Sequence, residues 1–195
     1  MNSERDRLSH FMNGLVTATQ LLQRAGENGF FVEYICLATA VIDASLRIGL
    51  ILKHQIKTKT GEIIESLLYQ ANEDKIVAER QIYRMALQED ILSQDLFDKL
   101  ETLYKRRNRV VHRYIISEIT TQQVIDIGIQ YEQIIPLISE KVGKLEQEQI
   151  EAGVGMTVVT DEALEEHIET VFDKMSAEKH GNPILAHSLR RKKSI

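Results

Sequence analysis

Apolar residues recur at three- and four-residue steps between positions 96 and 114, and this spacing constrains the fold more than any other feature. It places those residues on one face of an α-helix. The stripe consists of Leu96, Leu100, Leu103, Val110, Val111 and Tyr114. Arg107 falls near its middle, about 20° from Leu96 on an ideal helix. Because an arginine is almost never fully buried without a partner, Arg107 must reach an anion or a partner surface, or close a structural ion pair.

The helical period continues along most of the chain and predicts an all-α bundle. Helices are expected at residues 3–25, 30–57 and 120–152, with one or two shorter helices between 61 and 88. Ser93 is a suitable N-cap for the helix that carries the stripe, and Thr120 with Gln123 forms a capping-box pattern. Two prolines, 6% aromatic residues and the lack of tryptophan also favour a helical bundle over a sheet.

The glycines at 153 and 155 predict a boundary between two parts of the chain. Residues 1–152 would form the bundle, and residues 153–195 a C-terminal extension. Within the extension, residues 161–179 predict one amphipathic helix with apolar residues on a single face. These residues are Leu164, Ile168, Val171, Phe172 and Met175. The helix is suited to packing on the bundle or binding a partner, and a basic tail follows at 190–193.

The distribution of charge limits the ways in which this protein can bind nucleic acid. The net charge of −5 argues against a chain that binds nucleic acid through its overall field. Residues 105–113 nevertheless contain no acid and carry Lys105, Arg106, Arg107, Arg109 and Arg113. This cationic patch is suited to contacting a few phosphates, and the alternative is a solvated helix face.

The remaining composition favours a cytoplasmic protein without a cofactor. The single cysteine, Cys36, excludes an intrachain disulfide framework and is expected to be a buried small apolar residue. No zinc-binding spacing, H-E-x-x-H motif or glycine-rich phosphate loop is present, so no metal or cofactor is expected. The N-terminus is charged, unlike a signal peptide, and Asp43 and Arg47 interrupt the apolar stretch at 35–52, so no membrane span is expected.

Four residues on and beside the stripe form a spaced motif. Arg107 is followed directly by Asn108, and His112 and Tyr114 lie further along the same helix. Asn108 and His112 are four residues apart, so they share one flank, where the amide can hydrogen-bond and orient the imidazole. This arrangement resembles the R-N-x-x-x-H signature of the HEPN superfamily. Tyr114 extends the match to the R-x4-H-x-Y variant found in HEPN toxins. The resemblance covers roughly residues 3–153 in architecture, but only the motif in residue detail.

The resemblance implies a HEPN-like helical bundle acting as a metal-independent endoribonuclease of a toxin–antitoxin or antiviral defence system. Arg107 would bind the scissile phosphate, His112 would act as base or acid, and Asn108 would orient the imidazole. A homodimer is expected, because it would supply a second histidine to one cleft. The residues expected to contact RNA are Lys105, Arg106, Arg109 and Arg113.

Two further residues have alternative interpretations. Tyr114 could contact the phosphate or receive AMP from a nucleotidyltransferase-type antitoxin, as the resemblance implies, or it could simply end the core-facing stripe. Asp43 could face the motif from a neighbouring helix as a second-layer residue, or pair with Arg47 four residues later. The long 53–92 connection and the extension depart from the smallest family members.

A different class of function is also compatible with this sequence. The chain could be a non-catalytic HEPN-like module that binds a partner protein or a nucleotide through the cationic patch and the 161–179 helix. A helical transcription regulator is less favoured, because no short helix-turn-helix with a basic recognition helix stands out.

Overall fold

The computed structural model describes residues 4–70 and 76–156. Within these ranges the chain forms six α-helices and no strand, which confirms the predicted all-α class. The helices are α1 (Glu4–Glu27), α2 (Phe31–Thr58), α3 (Glu65–Leu68), α4 (Glu79–Gln88), α5 (Gln94–Arg113) and α6 (Thr121–Ala152). The helix expected at 161–179 and the basic tail at 190–193 lie outside the described residues.

Helix α2 is the centre of the bundle and packs against each of the other five described helices. It is apolar around most of its circumference, as expected of a core helix, with Ile35, Ile42, Leu46 and Ile51 almost fully buried. By length and composition α2 is also the one described helix that could cross a membrane, but 61% of its apolar window is buried inside the bundle. Burial in the bundle accounts for its apolar composition without a membrane.

Helix α6 lies beside α2 and runs in the same direction. Gly128 approaches Tyr34 near the start of both helices, and Val142 approaches Gly49 further along. Gln149 donates to Gln55 at 2.6 Å near their ends. Because α5 directly precedes α6 through a short loop, it runs the opposite way, and its last turn lies at the end where α6 begins.

The start of α5 and both ends of α6 follow capping signals in the sequence. The Ser93 hydroxyl accepts from the Leu96 amide at 3.3 Å. Thr120 and Gln123 form the reciprocal capping box that begins α6. Helix α6 ends at Gly153, whose φ of 63° is the left-handed conformation that glycine adopts readily. The predicted caps are therefore confirmed.

The end of the bundle where α2 and α6 terminate, here called the closed end, is filled by two fully buried glutamines. The Gln55 side chain accepts from Gln149 and from the Met156 amide (3.1 Å), and donates to the Glu62 carbonyl at 2.9 Å. A Cβ on Gly155, whose φ is 83°, would lie 2.1 Å from the Gln149 amide nitrogen. The closed end is thus hydrogen-bonded internally, and position 155 favours glycine because a Cβ there would meet the Gln149 side chain.

Two expectations about burial are wrong. Val111 and Tyr114 are 40% and 45% exposed, although Leu96, Leu100, Leu103 and Val110 of the same stripe are buried. The helical period predicts on which face of α5 a residue lies, but not how far the core extends along the helix. The core ends at Val110, and the last turn of α5 extends beyond the core. Cys36 is exposed, because it is offset by about 100° from the buried Ile35 on α2.

Candidate functional site

Arg107 is held in an ion pair inside the bundle. Its Nη2 donates to Oε2 of Glu79, the first residue of α4, and the side chains of both residues are 17% exposed. Its Nε is buried and has no hydrogen-bond partner among the described residues. The sequence predicted that Arg107 would reach an anion or a partner surface, or close a structural ion pair. In the described structure it forms the ion pair.

The Glu79 carboxylate also accepts a second buried bond. The Tyr83 hydroxyl, one turn later on α4, donates to Glu79 Oε1 at 2.5 Å. Burial, followed by the Glu79 charge, raises the pKa of Tyr83 far above its ordinary value, so the hydroxyl stays protonated and remains a donor. With both carboxylate oxygens engaged, Glu79 is fixed as the partner of Arg107.

Tyr104 lies between two guanidinium groups on the same side of α5. Its ring centroid is 5.0 Å from Cζ of Arg107 and 5.6 Å from Cζ of Arg80, both within cation–π range. Arg80 Nε donates to both oxygens of Glu101, at 2.8 Å and 3.0 Å. This hydrogen bonding, aided by the Arg80 charge, holds the pKa of Glu101 below its ordinary value. Helices α4 and α5 are therefore joined by two ion pairs with an aromatic ring between them.

Tyr131 brings α6 to the same cluster, but its hydroxyl is unpaired. The residue is fully buried, and burial raises the pKa of Tyr131 to about 12. The neighbouring Thr39 hydroxyl donates to the Ile35 carbonyl at 2.8 Å, and the Tyr131 hydroxyl has no hydrogen-bond partner among the described residues. Two buried donors, Arg107 Nε and the Tyr131 hydroxyl, thus lie unsatisfied near one another.

His112 occupies the opposite environment on the last turn of α5. Its side chain is exposed, whereas Asn108, one turn earlier, is partly buried. No hydrogen bond joins them within 4–70 and 76–156, so the expected contact that would orient the imidazole is not formed. The motif residues Arg107 and His112 share one helix, but one faces the core and the other faces solvent.

Asp43 pairs with Arg47 on its own helix, at 2.6 Å. Arg47 also donates to the carbonyls of Leu67 (3.1 Å) and Val77 (3.0 Å), so it ties the α2–α4 connection to the bundle. The second oxygen of Asp43, Oδ1, is buried without a partner in the described part of the chain. Asp43 therefore forms the ion pair with Arg47 on its own helix. It does not pair with Arg107, whose acidic partner is Glu79.

The last turns of α5 and the following residues combine cationic and apolar side chains. Lys105, Arg109 and Arg113 are exposed and Arg106 is partly buried. Beyond Tyr114, Ile115 and Ile116 are 94% and 82% exposed. Residues 111–116 are called the open end below. Unlike the closed end, this end of the bundle presents large apolar side chains directly to solvent.

Sequence reasoning missed the residues that surround Arg107, namely Glu79, Tyr83, Tyr104 and Tyr131. Glu79 lies 28 positions before Arg107, and no local spacing connects the two. A weak signal existed in Glu79 and Tyr83, which are four residues apart and so share a face of α4.

The described residues contain no group of three or more histidine, cysteine or acidic side chains placed to hold a metal ion. The motif itself offers a guanidinium, an imidazole and a phenol, from Arg107, His112 and Tyr114. Comparisons with protein-family models, with curated proteins and with solved structures find no match to this chain.

Proposed function

We propose that this protein is a metal-independent endoribonuclease of the HEPN type, acting in the cytoplasm as a toxin or in antiviral defence. The observation that carries the proposal is the environment of the motif on α5. Arg107, held by Glu79, lies little more than one turn before an exposed His112, beside the mostly exposed cationic residues Lys105, Arg106, Arg109 and Arg113. These residues would supply a fixed cation, a proton-transfer group and a phosphate-binding surface on one helix.

The chemistry requires these groups in sequence. An imidazole takes the proton from the 2′-hydroxyl, and the 2′-oxygen then attacks the adjacent phosphorus. The 5′-oxygen leaves with a proton from an acid, which gives a 2′,3′-cyclic phosphate and a 5′-hydroxyl. His112 would serve as base or acid near neutral pH, with Asn108 orienting it once RNA is bound. Arg107 would stabilise the negative charge on the phosphorane, sharing its guanidinium between the phosphate and Glu79.

The second proton-transfer group would come from a second copy of the chain. The apolar stripe of α5 is buried within its own bundle up to Val110, so it is not available for a dimer contact. The open end remains accessible, and its isoleucines would form the contact across a two-fold axis. His112 lies within this segment, so such a contact would bring two histidines to one cleft.

The other motif residues have roles within this proposal. Lys105, Arg106, Arg109 and Arg113 would bind flanking phosphates of RNA. Tyr114 is accessible enough to contact the phosphate or to be modified with AMP by a nucleotidyltransferase-type antitoxin, and the bulky anionic adduct would repel RNA.

A non-catalytic binding module is the second candidate, and the Arg107–Glu79 pair favours it. An arginine already neutralised inside the bundle stabilises the fold without any substrate. In that case the exposed Ile115 and Ile116 would contact a partner protein, and the cationic residues would bind its acidic groups or a nucleotide.

The test is cleavage of total cellular RNA by the purified full chain in the presence of EDTA. His112→Ala should lower the rate by more than about 100-fold, since it removes the general acid–base group. His54→Ala is the matched control, because His54 lies near the closed end, 3.5 Å from Glu62, and should leave the rate unchanged. Equal rates for wild type and His112→Ala would reject the assignment. The absence of any cleavage by AMP-free wild type would favour the binding module.

A further inference from the structure

An apolar groove runs between the end of α1 and the start of α2, and nothing within the described residues fills it. Its volume is about 780 Å³. The apolar lining of the groove includes Leu21, Ala25, Phe30, Val32, Cys36 and Leu37. Phe30 is 55% exposed and Val32 is 38% exposed, although both are large apolar side chains. A groove of this kind normally accepts an apolar surface.

We propose that this groove is the docking site of the chain's own residues 161–179. The sequence of that segment suits an apolar groove. At about 100° per residue, its five apolar residues fall within one arc about 100° wide. The opposite arc is acidic and consists of Glu162, Glu166, Glu169 and Asp173. An amphipathic helix with this pattern buries its apolar face in a groove and keeps its acids in water.

The point at which the chain leaves the bundle sets the reach of the segment. The Met156 amide donates to Gln55, so the described part of the chain ends beside that turn of α2. Cys36 lies about 28 Å from Gln55 along α2, at 1.5 Å per residue. Four extended residues, 157–160, and a helix from 161 to 172 together span about 31 Å. Phe172 and Met175 therefore reach the level of the groove, and Leu164 and Ile168 lie along the path.

Covalent connection favours this occupant over a second copy. A tethered segment is present at an effective concentration of about millimolar, whatever the protein concentration. The inference does not depend on ribonuclease activity, and its test involves no RNA.

The single cysteine of the chain provides the readout, because Cys36 lines the groove. The rate of Cys36 labelling by a thiol reagent is measured on the full chain at pH 8, at two protein concentrations tenfold apart. Phe172→Asp removes the largest apolar group of the segment, so labelling should accelerate at least about tenfold. Val32→Asp should have a similar effect from the groove side.

Thr170→Asp is the matched control, since it adds the same acid to the opposite arc and should label as slowly as wild type. Equal rates in wild type and Phe172→Asp would overturn the proposal. Labelling that slows with rising protein concentration and is unchanged by Phe172→Asp would assign the groove to a second copy of the chain. That result would also overturn the proposal. Far-ultraviolet circular dichroism confirms that each variant keeps the helical bundle.

Discussion

The two ends of the bundle terminate helices in opposite ways. At the closed end, Gln55 and Gln149 are fully buried, and their side-chain amides bond to each other and to backbone groups. At the open end, α5 stops at Arg113 and the chain continues through Tyr114, Ile115 and Ile116 in solvent. One end satisfies polar groups internally, and the other exposes apolar groups.

This difference separates the parts of the molecule that stabilise it from the parts available for binding. A buried and fully paired polar network specifies one arrangement of the chain, because any change leaves a donor or acceptor unsatisfied. Exposed isoleucines contribute little to folding, and neighbouring ones form an apolar patch of the kind that can mark an interaction site. The Arg107–Glu79 ion pair lies between the buried part of α5 and the open end. It is the last ion pair along α5 before residue 111 among the described residues.

The largest expected effect is the removal of Glu79. Glu79→Ala leaves Arg107 as a mostly buried, uncompensated charge and deprives the Tyr83 hydroxyl of its acceptor, so we expect a loss of about 3–5 kcal/mol in the free energy of unfolding. Urea denaturation followed by circular dichroism measures it. The double variant Glu79→Met/Arg107→Met should recover most of the loss. A loss below about 1 kcal/mol for the single variant would mean that water already compensates the arginine.

The next effect concerns the closed end and compares two glycines. In Gly155→Ala the new Cβ meets the Gln149 amide in addition to a positive φ, and we expect a loss of about 2–3 kcal/mol. In Gly153→Ala the φ is also positive, but nothing lies within 4 Å of the new Cβ, so the loss should be about 1 kcal/mol. The same urea measurement applies. Equal losses would show that conformational strain alone, and not the glutamine network, requires Gly155.

The smallest effect belongs to the open end. Ile116→Ser should change the free energy of unfolding by less than about 0.5 kcal/mol, because the side chain is 82% exposed. Ile127→Val is the buried comparison on α6 and should lose about 1 kcal/mol. Sedimentation of the Ile116→Ser chain then tests the proposed dimer separately. A stability loss in Ile116→Ser as large as that in Ile127→Val would show that the open end is part of the core.

The sequence predicted the start of α5 and both ends of α6 well, because these ends carry local signals. Ser93, Thr120 with Gln123, and Gly153 act within a few residues of themselves, so their effect can be predicted without a tertiary structure. The position of Arg107 on a buried face was predictable for the same reason, since it needs only the helical period.

The partners of these residues were not predictable, because they depend on tertiary packing. Glu79 reaches Arg107 only after α4 and α5 form a hairpin, and no pattern in the sequence specifies that meeting. Cys36 and Val111 were assigned to the core from their neighbours, but periodicity does not indicate where a core ends. His112 could be singled out only through the family resemblance, since an exposed histidine has no packing signature.

The two ion pairs between α4 and α5 have a consequence for how this chain can change over evolution. Glu79 and Arg80 are neighbours of opposite charge, and each meets the opposite sign on α5, at Arg107 and Glu101. A shift of α4 by one residue would bring Arg80 toward Arg107, so this ten-residue helix has one register that avoids repulsion. Positions 79 and 107 should therefore vary together among descendants of this chain, as should 80 and 101. His112 has no ion-pair partner among the described residues, so no coupled change of this kind is expected at position 112.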